Sequence, residues 1–168
     1  DGLRTLCDTL DVPFIKERTL RYPGHVALMK VLRAGGFFAN EPLEVKGSIV
    51  RPIDMTAKIL IDGWKYEQGE ADLTVMRVEA EGLIGEEFVQ LRWDLLDYYD
   101  AENDQSSMAR TTAFPAAAMG RMLADNTIVM PGVHPPETFG SNDAVVQRLL
   151  TELETRDIQF HKTMESIR

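Results

Sequence analysis

Two stretches with a period of two, separated by a glycine, constrain the fold of this 168-residue chain more than any other feature. In residues 71–83, and again in residues 87–99, apolar side chains alternate with polar ones, as they do in half-buried strands. Gly85 lies between the two stretches and predicts a tight turn. The pattern therefore predicts a long antiparallel hairpin, Ala71–Leu83 paired with Glu87–Tyr99, with one face in water unless another chain covers it.

Helical spacing of apolar residues predicts three helices elsewhere. Residues 23–34 and 52–63 each open with a proline, which suits the first helical position, and Gly35 and Gly63 are expected to end these helices. Residues 143–157 carry the third and strongest helical period. The segment "DIQFHKTM" that follows predicts a short last strand.

An Ala- and Met-rich segment, "SMARTTAFPAAAMGRMLAD", predicts a fourth helix. Ser106 or Ser107 suits the N-cap. Pro115 lies inside the segment and cannot donate a backbone hydrogen bond, so the helix proper is expected to begin near Phe114 after an ordered approach. Strands and helices in this mixed order predict an α+β (mixed α/β) fold, in which a mixed, largely antiparallel sheet has helices packed mainly on one face.

Charge and composition exclude several classes of function. The net charge of -9 and the pI near 4.8 argue against a nucleic-acid-binding protein or one that binds an anionic membrane. Cys7 is the one cysteine, which allows no internal disulfide, and a reducing cytoplasm is the expected location. The sequence has no G-x-G-x-x-G or phosphate loop, no G-x-S-x-G elbow and no metal spacing among its histidines. By itself the chain is not predicted to be a complete enzyme.

The corner before the first long helix, "ERTLRYPGH", is the first candidate site. Arg21 could hold a carboxylate with two hydrogen bonds, and Thr19 and Tyr22 could add hydroxyl groups. His25 could act as a general base, because the ordinary pKa of histidine suits amine deprotonation. In the plainer interpretation, Arg21 pairs with a surface carboxylate, Tyr22 packs beside the helix and His25 is a solvated residue of the first turn.

Two other segments concentrate polar groups. "SSMARTT" could be a polar clasp for a ligand or a neighbouring domain, although a helix-capping role is the more common use of such residues. His134 in "GVHPPE" precedes two prolines, and a rigid connector explains it better than catalysis does.

Taken together and in order, "DGLRTL", "ERTLRYPGH", "LMKVLRAGGFF", "SSMARTTAFPAAAMGRML" and "PGVHPPE" resemble the carboxyl-terminal region of the saccharopine dehydrogenase-like family, most closely its lysine 6-dehydrogenase-like members. The resemblance implies a substrate-binding and dimerisation domain like the carboxyl-terminal domain of glyceraldehyde-3-phosphate dehydrogenase. It also implies an NAD(P)-dependent parent enzyme of lysine metabolism. This chain is expected to bind no cofactor, because NAD or NADP would lie in an absent Rossmann domain.

The resemblance also assigns roles to residues and segments. Thr19, Arg21 and Tyr22 would contact the substrate, with His25 the candidate catalytic residue. The implied division is a substrate-binding and dimerisation domain at 1–105, a helix and connector that pack on the Rossmann domain at 106–141, and a terminal helix and strand at 142–168. The expected contacts with the Rossmann domain are Arg110, Thr111 and Thr112. Without that domain, the residues expected to be partly uncovered are Met119, Met122 and Leu123.

The function that follows is one half of an amino-acid dehydrogenase, acting on the amine or imine carbon of lysine or saccharopine and inactive alone. Its expected partners are the Rossmann domain of the same protein, a second copy of the chain in a homodimer, and a small amino acid. The alternative is a non-enzymatic module that dimerises or senses a small anion.

Overall fold

The computed structural model describes residues 2–67 and 69–167. These residues form two compact units. Unit 1 is residues 2–67, and unit 2 is residues 69–167. None of the helices in these two ranges is both long enough and apolar enough to cross a membrane. The described residues form helices and two antiparallel sheets, which confirms the predicted α+β class.

Unit 1 contains three helices and one small hairpin. In chain order these are α1 (Leu6–Thr9), α2 (His25–Ala34), β1 (Leu43–Val45), β2 (Ser48–Val50) and α3 (Pro52–Trp64). Lys46 and Gly47 form the turn of the hairpin and both have positive φ, the backbone geometry that matches strand twist in a two-residue turn. Among the described side chains of unit 1, Thr56 is the one that is buried; its hydroxyl donates to the Phe37 carbonyl over 2.8 Å.

The ends of the two long helices of unit 1 differ from the prediction by one or two residues. Gly24 has φ of 90°, a left-handed conformation that cannot continue into the helix, so α2 begins at His25 rather than at Pro23. Helix α3 begins at Pro52 as predicted. It includes Gly63 and ends at Trp64, because the extended backbone of Lys65 stops it.

Unit 2 is a three-stranded antiparallel sheet with two long helices. Its elements are β3 (Leu73–Ile84), β4 (Glu87–Tyr98), α4 (Ser107–Ala124), a 3₁₀ turn (Pro136–Phe139), α5 (Asp143–Glu154) and β5 (Phe160–Ser166). The strand order is β3-β4-β5. Gly85, with φ of 64°, turns the chain between β3 and β4, so the predicted hairpin is confirmed almost to the residue. Strand β5 confirms the predicted last strand and pairs with β4.

Helix α4 begins seven residues earlier than predicted. Ser106 is the N-cap, and its hydroxyl accepts a hydrogen bond from the backbone N–H of Ala109 over 3.1 Å. Pro115 lies inside the helix. The expectation of a start near Phe114 was wrong because the loss of one backbone hydrogen bond at a proline is outweighed by the polar contacts that hold the first turn, which are described below.

Two apolar clusters form the core of unit 2. Leu95 of β4, Leu153 of α5 and Ile158 form one cluster, against which Phe114 of α4 packs. The other cluster consists of Met122, Ile128 and Val145. Met122 is fully buried, so the expectation that it would be uncovered was wrong: the segment after α4 folds back on it, and the Ile128 N–H donates to the Met122 carbonyl over 3.0 Å. Leu123 is exposed, as expected, and Met119 is half-buried.

Helices α4 and α5 both pack on the face of β4 that carries Leu95. The domain boundaries that the resemblance implies, at 105/106 and 141/142, stay a prediction.

Candidate functional site

The corner that precedes α2 is built around a glycine. Gly24 is the N-cap of α2, and its carbonyl accepts the first helical hydrogen bond, from the N–H of Leu28 over 3.0 Å. The His25 N–H donates to the Tyr22 carbonyl over 3.2 Å, which closes the turn just before the helix. A side chain at position 24 would be strained by the positive φ, although the space around it is open. The glycine therefore fixes how residues 19–22 approach the helix.

The three predicted substrate contacts lie on the surface of unit 1. The Thr19 hydroxyl donates to Glu17 Oε1 over 3.0 Å, and Arg21 donates through Nη1 to the adjacent Leu20 carbonyl over 2.8 Å. Tyr22 has 78% of its surface exposed. These polar groups border the same turn and are accessible to a ligand from solvent.

His25 lies against an aromatic residue that the sequence analysis did not single out. Its ring centroid is 6.1 Å from that of Trp64, the last residue of α3, and the two rings are tilted by 46°. His25 is half-buried, whereas 53% of Trp64 is exposed. A tryptophan 39 residues further along the chain gives no sign in the sequence that it returns to this helix start, which is why the analysis missed it.

These positions differ from the plainer interpretation of the corner. Within residues 2–67 and 69–167 no carboxylate forms an ion pair with Arg21, Tyr22 is not packed away beside the helix, and His25 contacts an indole ring. Most of the Arg21 guanidinium is thus available for a carboxylate from outside the described residues. The roles of Thr19, Arg21, Tyr22 and His25 remain predictions.

The start of α4 is a second concentration of polar groups, and it lies in unit 2. The buried Ser107 hydroxyl is 2.8 Å from the Thr74 hydroxyl and 2.7 Å from Asp97 Oδ2. Both oxygens of the Asp72 carboxylate accept backbone N–H groups of the first turn, from Ser107 over 2.6 Å and from Met108 over 2.9 Å. A carboxylate at this end of a helix is also favoured by the helix dipole. These contacts hold the first turn of α4 against the hairpin.

Arg110 completes this network. It is buried, and its guanidinium donates to Asp97 (3.2 Å), to Asp100 (3.1 Å) and to the Arg156 carbonyl (2.7 Å). The Asn103 side chain donates to Asp100 as well, and this bond is the main reason why the pKa of Asp100 lies below its usual range; Arg110 adds to the effect. A buried pair of charges needs such complete hydrogen bonding, because an unpaired one would cost several kcal/mol.

The other two predicted domain contacts bond within their own helix. Thr111 donates to the Ser107 carbonyl over 2.8 Å, and Thr112 donates to the Met108 carbonyl over 2.6 Å. Thr112 is exposed and Thr111 half-buried. Both threonines can make a further contact, and their predicted role toward another domain is untested, as is that of Arg110.

Sequence reasoning identified the polar residues at the start of α4 but not the groups to which they bond. "SSMARTT" was expected to cap a helix or to clasp a partner, and the capping interpretation is confirmed at Ser106. The partners Asp72 and Asp97 were missed, because they come from the hairpin, Asp72 directly before β3 and Asp97 within β4. A signal for Asp97 was available: it occupies the place of an apolar residue on the buried face of β4, two residues after Leu95.

The described residues contain neither a cluster of metal ligands nor a Rossmann-type dinucleotide cradle. No group of three or more His, Cys, Asp and Glu residues in the described ranges is arranged to hold a metal ion. His134 lies 2.9 Å from the Pro131 carbonyl, through Nε2, within its own connector. Both sheets formed by the described residues are antiparallel, whereas a dinucleotide cradle of the Rossmann type needs parallel strands joined through a helix. The described residues therefore do not form a dinucleotide cradle of the Rossmann type.

Comparison with known proteins finds a family and a curated relative to which the chain is similar. Residues 3–158 match the family model described as the saccharopine dehydrogenase C-terminal domain. The chain is also 29% identical, over 117 residues, to a protein of Schizosaccharomyces pombe named saccharopine dehydrogenase (NADP(+), L-glutamate-forming). That alignment covers 70% of this chain and 25% of the relative, so the chain spans about a quarter of the length of the relative that it matches.

Proposed function

Because the chain belongs to the saccharopine dehydrogenase C-terminal domain family, we propose that it is the substrate-binding and dimerisation domain of an NAD(P)-dependent oxidoreductase. The reaction would take place at the carbon that bears the amine or imine of an amino acid, of the lysine or saccharopine type. The match over residues 3–158 carries this proposal. The domain alone would be inactive.

The partner domain follows from the same match. The family is defined by a carboxyl-terminal domain, and the described residues do not form a dinucleotide fold. We therefore propose a separate amino-terminal Rossmann domain in the same protein, which would hold NAD or NADP and supply the redox chemistry. A cytoplasmic location is part of the proposal, and an exposed free thiol at Cys7 agrees with it.

In this proposal the corner before α2 binds the amino acid. Arg21 would bind the substrate carboxylate, since its guanidinium is exposed and, among the residues that the structure describes, bonds to the Leu20 carbonyl alone. Thr19 and Tyr22 would donate or accept through their hydroxyl groups. His25 is the candidate to exchange a proton with the substrate amine.

Substitution of Arg21 tests the site. A charged hydrogen bond contributes about 1.5–3 kcal/mol, so Arg21→Ala should raise KM for the amino-acid substrate of the full-length enzyme at least about tenfold. The KM for the nicotinamide cofactor should not change. Arg18→Ala is the matched control, an exposed arginine three residues earlier. Equal KM values for the amino acid in the wild type and in Arg21→Ala would show that Arg21 is not part of the site.

The homodimer would form through one face of the sheet of unit 2. Directly paired residues such as Val78 and Trp93 lie on the same face, as do Met76 and Leu95. Part of this face is covered by α4 and α5. The exposed apolar residues on the rest of it define what we call the apolar sheet face, and these are Met76, Val78, Ile84 and Met164.

The opposite face of the same sheet combines exposed apolar residues, such as Leu83 and Leu96, with charged ones. It carries the ion pairs Arg77–Asp94, at 2.6 Å, and Arg92–Glu79, at 2.9 Å. A contact through that face would remove these ion pairs from water, so the apolar sheet face is the better candidate for contact with a second copy. Leu95 lies on the same face but is buried in the core, so it is not available for contact with a second copy.

A further inference from the structure

Strand β3 lies at an edge of the sheet of unit 2, and its outer side is open. Among the described residues, β4 is its one strand neighbour, and no residue outside the hairpin forms a backbone hydrogen bond with it. Ten of its twelve residues are exposed. The Asp72 carbonyl accepts the Tyr99 N–H, so even-numbered residues of β3 direct their backbone groups toward β4. The odd-numbered residues, from Leu73 to Leu83, direct theirs outward.

Strand β3 lacks most of the features that keep the edges of natural sheets from pairing. Such edge strands are typically short or bulged, or they carry proline or lysine. β3 is twelve residues long, pairs with β4 without a bulge and contains neither proline nor lysine. β5, at the other edge, has seven residues and an exposed lysine, Lys162. Of the two edges, the outer edge of β3 is therefore better suited to receive another strand.

The charges of β3 complement those of a second copy of the same strand. A two-fold axis perpendicular to the sheet places the β3 strands of two copies antiparallel and keeps corresponding faces on the same side. With this axis at Val78, Arg77 of each copy lies opposite Glu79 of the other, and the outward backbone groups of these residues face each other. Opposite charges in directly paired positions stabilise a sheet.

The ion pairs within each copy extend this complementarity. Arg77 lies 2.6 Å from Asp94, and Glu79 lies 2.9 Å from Arg92. Across the joined edges, one row of side chains would therefore read Asp94 and Arg77 of one copy, then Glu79 and Arg92 of the other. Each charge in this row has neighbours of the opposite sign. Edge pairing would leave the row on the surface of the sheet, so these ion pairs would stay in water.

Neighbouring registers bring like charges together. An axis at Arg77 or at Glu79 places that residue opposite itself in the second copy. An axis at Ala80 places Glu79 opposite Glu81. Like charges in directly paired positions destabilise a sheet. The charges therefore favour the register with Val78 on the axis.

We propose that the outer edge of β3 pairs with the same edge of a second copy, with Val78 on the two-fold axis. The two three-stranded sheets then form one sheet of six strands. This interaction surface is separate from the apolar sheet face, because it uses the backbone of an edge strand and leaves both faces of the sheet as they are. It goes beyond the proposed function and does not depend on the substrate or the cofactor.

Charge reversal tests the register. Arg77→Glu and Glu79→Arg each turn both pairs between the copies into like charges, so each variant of the full-length protein should self-associate at least about fivefold more weakly than the wild type. An equimolar mixture of the two variants should regain most of this affinity, because opposite charges face each other again. Glu165→Arg is the control, a reversal on the same face but on β5, and it should leave self-association unchanged. Sedimentation equilibrium measures each constant.

A disulfide between copies tests the register in a second way. Opposed residues of a hydrogen-bonded pair have Cα atoms about 5.5 Å apart, a separation that a disulfide can span. A mixture of Arg77→Cys and Glu79→Cys copies should therefore form a cross-link between positions 77 and 79, identified by mass spectrometry of the joined peptides. This cross-link decides the matter should a charge-reversal variant not fold, as judged by circular dichroism.

Several results would overturn the proposal. A wild type that stays monomeric would do so, as would a mixture of the charge-reversal variants that associates no more tightly than either alone. If Val78→Lys weakens self-association while neither charge reversal does, the copies meet through the apolar sheet face and not through the edge. The absence of the cross-link between positions 77 and 79 in a protein that self-associates would exclude this register.

Discussion

Burial differs sharply between two adjacent residues of α4. Met122 is fully buried between Ile128 and Val145, whereas 55% of Leu123 is exposed. The family resemblance led us to expect that both would be partly uncovered. The spacing of apolar residues along a helix does not show which of them a later segment will cover. Ile128, which follows the helix by four residues, makes the difference.

Substitution of these two residues by alanine should have very different effects. Met122→Ala removes a buried side chain and leaves a cavity, so the free energy of unfolding should fall by about 2–5 kcal/mol. Leu123→Ala should change it by no more than about 0.5 kcal/mol, because little apolar contact is lost at an exposed position. Urea unfolding followed by circular dichroism measures both. Equal effects of the two substitutions would contradict the placement of Met122 in the core.

Helices α4 and α5 are joined by charged groups as well as by apolar contacts. Glu152 of α5 accepts hydrogen bonds from Arg121 of α4 and from Arg148 of its own helix. Arg148 also lies 2.6 Å from Asp125, and its guanidinium donates to the Thr127 hydroxyl over 2.7 Å. Arg148 therefore links α5 to the segment that leaves α4.

These contacts lower the pKa of both carboxyl groups. The pKa of Asp125 lies well below its usual range because Arg148 and Thr127 donate hydrogen bonds to it. The pKa of Glu152 is lowered mainly by Arg121 and further by Arg148. A carboxyl group whose pKa is lower in the folded state contributes stability above its unfolded pKa, and this contribution is lost as the pH falls toward the folded pKa.

We therefore expect the free energy of unfolding to fall as the pH is lowered from about 5 to about 3. The fall should be smaller in Arg148→Met, because Asp125 and Glu152 then lose one of the groups that lower their pKa. Lys162→Met is the control, since Lys162 lies over the Trp93 ring rather than beside either carboxylate. Urea unfolding at several pH values gives the slopes. A slope in Arg148→Met as steep as that of the wild type would exclude the proposed role of this arginine.

At the scale of elements the sequence was most informative where local chemistry decides the backbone. The hairpin was predictable because the period of two is long and Gly85 meets the need for a positive φ. The start of α4 was not predictable in this way. The local preference of proline for a first turn suggested a start near Pro115, but contacts from elsewhere in the chain decide where the helix begins. The true first turn is held by bonds to Asp72, which lies directly before β3 and 35 residues before Ser107.

For the whole molecule, the two faces of the sheet of unit 2 offer a matched test of dimer formation. Val78 lies on the apolar sheet face and is 51% exposed, and Val75 lies on the opposite face and is 50% exposed. Val78→Lys would place an ammonium group in the dimer interface. Because an unpaired charge is costly to bury, this substitution should weaken the dimer at least about tenfold. Val75→Lys should leave the dimer unchanged.

Sedimentation equilibrium of the full-length protein measures the dimer constant of each variant. Equal constants for the wild type and Val78→Lys, in a protein that does dimerise, would place the interface elsewhere. A protein that stays monomeric at high concentration would contradict the homodimer altogether.

The family and its implied domain arrangement could be suggested from the sequence, because several short motifs occur in a fixed order, and the match over residues 3–158 confirms the family. The surroundings of the candidate site could not be predicted from the sequence. Which residue stands beside His25 depends on the path of the chain through β1, β2 and α3, and no local pattern specifies that path.

The scarcity of buried side chains in unit 1 has a consequence for its motion. Among its described residues Thr56 alone is buried, whereas unit 2 holds two apolar clusters. Local opening is cheapest where few apolar contacts must be broken, so the amide hydrogens of α2 and α3 should exchange with deuterium well before those of β4. The corner that would receive the amino acid thus belongs to the half of the chain that opens and recloses most readily.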